Sequence, residues 1–113
     1  MRQPADRIAW LLLLESRWWE TLGGADHALL CGLPGWHGDL FRFLDRQATE
    51  HGPQPWAALR ERIGSEPWAD AALALVDAED PAIEPLADDL PRSLDQLRTS
   101  GGRNDAMRVL GRI

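Results

Sequence analysis

Three side chains could join in metal or nucleophilic chemistry. His27 and Cys31 stand four residues apart, one turn on any helix that carries both, and His37 follows six positions later. A structural zinc site needs four such ligands, and the chain has one cysteine, no Cys-x-x-Cys and no second close pair. Cys31 beside a histidine could also form a nucleophile pair, but its setting, Leu29-Leu30-Cys31-Gly32-Leu33, reads as a buried helix end where a thiol packs as a small hydrophobe.

Other chemistries find less. There is no glycine loop to cradle phosphate, no serine on a sharp elbow, and no carboxylate pair set in apolar surroundings. Asp77, Glu79, Asp80, Glu84, Asp88 and Asp89 form an acidic belt that lacks the glycine and spacing of a calcium loop. The belt reads as a solvated face with its linker, or as an electrostatic guide for a basic protein partner. Neither metal nor cofactor is expected. Of the six tryptophans, Trp10, Trp36, Trp56 and Trp68 fall on apolar stripes and are assigned to packing. Trp18 and Trp19 cannot both face inward, because neighbours on a helix diverge by about 100°. One of them belongs at the rim, over a neighbouring helix or open to a partner.

The elements that position these groups are all helical by period. Seven apolar residues run from Ile8 to Leu14, so the first helix, over Arg7 to Glu15, must be enclosed on every side. A second covers Arg17 to Leu22, and Asp26 caps a third over His27 to Gly32. The fourth, Trp36 to His51, puts Trp36, Leu40, Phe43, Leu44 and Ala48 on one face. Pro55 opens a fifth helix with Trp56, Leu59 and Ile63 in line, and Ser65 caps a sixth that holds Pro67 in its first turn. Beyond Ala78, Ile83, Leu86, Leu90, Leu94 and Leu97 keep a single helical stripe across Pro91, which predicts a kinked helix or two abutting ones. Gly101-Gly102 precedes a short terminal segment carrying Met107 and Leu110.

The expected fold is therefore all-α: a compact bundle of about six short helices over residues 1–78, then an acidic linker and C-terminal helical segment over 79–113, in one domain. A chain of 113 residues can bury a core without disulfides or metal. The apolar run is far short of the ~20 residues that span a bilayer. With no basic leader before it and a single cysteine, a soluble, cytoplasmic protein is expected. Twelve arginines face 18 acidic residues, a formal charge of −6. This balance argues against direct nucleic-acid binding, since phosphates would be repelled.

The order of these elements carries a resemblance. A leucine-rich first helix introduced by Arg7, a Leu33-Pro34-Gly35 turn into the helix holding Leu40-Phe41-Arg42-Phe43-Leu44, two short helices, and an acidic linker into a leucine stripe together resemble the C-terminal helicase-binding domain of bacterial DNA primase, DnaG. The likeness runs from about Arg7 to Leu97.

What the resemblance implies is a non-catalytic docking module. In that family a helical bundle and a following helical hairpin tether the primase, a DNA-directed RNA-polymerising nucleotidyltransferase, to the N-terminal domains of the hexameric replicative helicase DnaB. Leu90, Leu94 and Leu97, with Met107 and Leu110 beyond, would be the counterpart of the hairpin and supply a helix-in-groove contact. The hairpin is long in that family and is shortened here by Gly101-Gly102 and the end at Ile113. The family's bundle also receives the acidic tail of the single-stranded-DNA-binding protein, and Arg7 with Trp10 matches that site; Arg7 can equally be a solvated helix-start residue. The competing reading is a free-standing helical adaptor or homodimer that self-associates through the tail stripe.

Overall fold

The structure is a computed structural model and describes residues 3–99. Every regular element in that span is a helix. α1 is Pro4–Leu14, followed by a 3-10 helix, Ser16–Thr21. α2 is Gly24–Cys31, α3 Gly35–His51, α4 Trp56–Ile63 and α5 Ala69–Asp77. A strap without regular structure leads to α6, which covers 89–99.

α1 is the axle. Ala5 and the run from Ile8 to Leu13 are all buried, and α1 contacts the 3-10 helix, α3, α4 and α5. It starts three residues before the apolar period predicts. Pro4 at the first helical position needs no partner for a missing N–H, and the Gln3 amide donates to the Asp6 carboxylate at 3.4 Å. Arg7 is therefore one turn inside the helix rather than at its start.

The Trp18-Trp19 pair is divided as expected, but by a 3-10 helix, whose tighter winding turns successive side chains about 120° apart. Trp19 is buried, stacks on Phe41 at 6.3 Å and donates its indole N–H to Asp45 at 3.3 Å. Trp18 is half-buried at the rim. The segment is clasped from the side: Ser16 Oγ donates to the Gln54 carbonyl at 2.6 Å and accepts the Gln54 amide at 3.0 Å.

α2 and α3 form a tight hairpin whose closeness depends on one glycine. A Cβ at Gly38 would lie 1.9 Å from the Leu33 carbonyl oxygen, so no other residue fits that turn of α3. At the far end of α3, Gly52 closes the helix with φ +74 and ψ −171, a conformation that side chains resist. Three boundaries differ from expectation because caps moved. Gly23 precedes α2, so Asp26 sits in its first turn. Pro55 is the cap of α4 rather than its first residue. The 64–68 stretch turns before α5 begins, with Ser65 donating back to the Arg62 carbonyl instead of capping.

The tail corrects the sequence reading most. Ile83 and Leu86 are not helical, and the stripe predicted across Pro91 begins only at Leu90. Pro81 and Pro85 remove backbone donors on either side of Ile83, so the strap makes isolated turns and no helix. Pro91 lies in the first turn of α6, where a missing N–H costs nothing, so the helix is not kinked there.

Candidate protein-interaction site

The leucine stripe expected to face a partner faces inward. Leu90 is 4% exposed and Leu94 2%, both in the same hydrophobic core as α1, with Leu97 packed half-buried against it. Trp18 and Leu22 pack on the same core, and an open groove of about 420 Å³ lies between them and the Leu90 and Leu94 turns of α6. The expectation that Leu90 and Leu94 belong to a free docking seam is thus corrected, while Leu97 keeps part of its surface. Burial of these two leucines in the core holds the first turns of α6 on the body. Ion pairs fix both ends of the contact, Arg7 with Asp89 at 2.7 Å and Arg98 with Asp26. Met107 and Leu110 lie outside the described residues.

Arg7 and Trp10 do come together. The guanidinium carbon sits 4.9 Å from the centre of the Trp10 ring, and Nη2 donates to Asp89 Oδ2 at 2.7 Å. Trp10 itself is buried, so a ligand reaches this pair only through Arg7. The arrangement is one that holds a carboxylate, and the carboxylate it holds belongs to the chain itself.

The histidines are engaged separately. His27 stacks on Trp19 at 4.3 Å and its Nε2 donates to the Trp19 carbonyl at 2.7 Å. His37 stacks on Trp36 at 4.1 Å and its Nε2 donates to Asp6 at 2.6 Å. Cys31 is half-buried at the end of α2, and Arg42 Nη1 donates to its carbonyl at 2.5 Å. Burial pushes the Cys31 thiol pKa up, the Asp45 carboxylate pushes it further, and Arg42 pulls against both. Among the described residues, no three His, Cys, Asp or Glu side chains gather as a metal site.

What the sequence reading missed is the strap. Ile83 is 47% exposed and Leu86 61%, the large hydrophobic side chains left on the surface among the described residues. Ile83 forms one wall of an open groove of about 440 Å³ whose floor is Trp10, Leu14, Trp56 and Val76. Its rim is acidic, with Asp77 and Asp80. Arg60 bridges to Asp77 at 3.1 Å and lies 5.9 Å from the centre of the Trp56 ring; the hydrogen bond and charge of Asp77 raise its pKa. The available signal was the pair of prolines flanking Ile83, which break the period that places Ile83 and Leu86 on the α6 stripe.

No helix among the described residues is long and apolar enough to cross a membrane. No protein-family model, curated protein or solved structure matches the chain.

Proposed function

We propose that the chain is a non-catalytic protein-interaction module, the counterpart of the C-terminal domain by which bacterial primase docks on the replicative helicase DnaB. It works in the cytoplasm, coupling primer synthesis to the fork. The observation that carries the reading is the order of elements around α1: an enclosed leucine-rich helix, the Leu33-Pro34-Gly35 turn into α3, two short helices, then an acidic strap into a leucine-striped helix strapped back on the body. In this proposal Leu90 and Leu94 anchor α6, and the helicase contact falls to Leu97 with Met107 and Leu110 further along the chain.

Calorimetric titration of the purified N-terminal domain of DnaB into the full chain tests this. Saturable heats are expected. Flat heats from a helicase domain that binds a known primase would remove the helicase from the proposal.

The Arg7 geometry favours a second contact within the same reading. A guanidinium set over an indole and holding a carboxylate suits the acidic tail of the single-stranded-DNA-binding protein, with Asp89 as the group the tail displaces. A tail peptide that binds the chain and loses affinity in Arg7→Ala is the expected result.

A further inference from the structure

We propose that the groove walled by the strap receives a basic amphipathic helix from a protein partner, a contact that rests on reading the chain as an interaction module but not on which partner that is. Trp56 and Val76 are partly buried and pack on the core while still lining the groove, and Ile83 raises its wall into solvent. Leu86, three residues further along the strap, is also exposed. Apolar side chains offered along an open trough suit a helix that inserts residues at i, i+3 and i+4.

Charge selects the occupant. No basic residue lies between Arg62 and Arg92, whereas Asp77, Asp80, Glu84 and Asp88 border the groove and strap. On the groove's rim the carboxylates of Asp77 and Asp80 outweigh Arg60 at its edge, and a trough with that excess of negative charge favours arginine- or lysine-bearing partners and speeds their encounter. The chain already shows the ligand chemistry at one edge, where Arg60 stands between the Asp77 carboxylate and the Trp56 indole. Nucleic acid is disfavoured because the carboxylates repel phosphate. A second copy is disfavoured because it would bring the same acidic strap to the contact.

The test uses the full chain, labelled with nitrogen-15, and two synthetic helical peptides that share one leucine stripe and differ only in carrying arginine or glutamate beside it. The tryptophan indole N–H resonances are followed during titration. The arginine peptide is expected to bind and to shift the Trp56 signal, while the glutamate peptide leaves it in place. Ile83→Asp, a change at an exposed side chain, is expected to weaken binding about tenfold. Asp80→Asn combined with Glu84→Gln should weaken it less and flatten its dependence on salt.

Equal binding of both peptides, no binding of either, or shifts at Trp18 or Trp36 in place of Trp56 would overturn the groove. So would a chain shortened after Gly102 whose Trp56 signal has already moved, because the chain's own end would then be the occupant. A flat helicase titration beside a bound arginine peptide removes the helicase and keeps the groove.

Discussion

Two consecutive apolar segments, the strap at 79–88 and α6 at 89–99, meet opposite fates. Leu90 and Leu94 disappear into the body, whereas Ile83 and Leu86 stay in water only a few residues earlier. Residue type does not separate them, since all four are large aliphatics. Backbone does: a helix sets Leu90 and Leu94 on one face, four residues apart, and that face is buried in the core. In the strap, Pro81 and Pro85 deny the regular hydrogen bonding that would align Ile83 with Leu86. A helical period thus identifies which residues can be buried together, but the surface left over is found where prolines interrupt the period.

The largest effect should come from emptying the seam. Leu94→Ala removes a fully enclosed side chain and is expected to cost about 2–5 kcal/mol in urea unfolding. Leu86→Ser, at the most exposed large hydrophobic, should stay within about 0.5 kcal/mol of the parent. Equal losses at the two positions would erase the distinction between an anchoring helix and a free strap.

Next comes the body itself, as a control that is not part of either segment. Gly38→Ala forces a methyl onto the Leu33 carbonyl, and the α2–α3 hairpin must open to admit it. A loss of about 1–3 kcal/mol is expected, read as a lowered unfolding midpoint with an unchanged slope. If α6 docks on a preformed trough, the same variant should also loosen Leu94, seen as faster amide exchange in α6.

How far the sequence foretold these features varies with the kind of signal. The enclosure of α1 was plain, because the unbroken run from Ile8 to Leu14 leaves no polar face to expose. The split between Trp18 and Trp19 followed from geometry alone. Helix starts were less legible: Gln3, Gly23 and Trp68 set them through cap conformations, although Asp26 and Ser65 are better cappers by type. Of the proposed site residues, Arg7 and Trp10 lie side by side, and the acidic group on Arg7 is Asp89. The direction of the Leu90–Leu94 face was not legible, because a stripe looks the same whether its partner is another protein or the chain's own body. That partner is the core built around α1, far away in sequence.

The Arg7–Asp89 pair lies at the junction of the two segments and offers a finer probe. Both side chains are partly exposed, at 36% and 22%, so the bridge contributes about 0.2–1 kcal/mol once solvent screening is included. Asp89→Asn should therefore loosen the start of α6 slightly while leaving Leu94 protected. It should also free the guanidinium over Trp10, so an acidic tail peptide is expected to bind Asp89→Asn more tightly than the parent chain. Weaker binding by that variant would mean that Asp89 helps to orient Arg7 instead of competing for it.

The smallest effect lies at Cys31, at the end of α2, where the half-buried thiol reports whether the body stays closed. Burial and the Asp45 carboxylate favour the neutral thiol, so alkylation of the folded chain should need a higher pH than alkylation of the unfolded chain. The sign for stability follows, because a folded pKa above the unfolded one means the folded chain holds its proton longer. The small stabilisation is fully present below the unfolded thiol's pKa and fades as pH rises through the folded one. Asp45→Asn removes one of the two causes and should move the alkylation profile toward lower pH, despite loosening the Trp19 indole contact. Leu86→Ser, at an exposed strap residue, should leave the profile where it is.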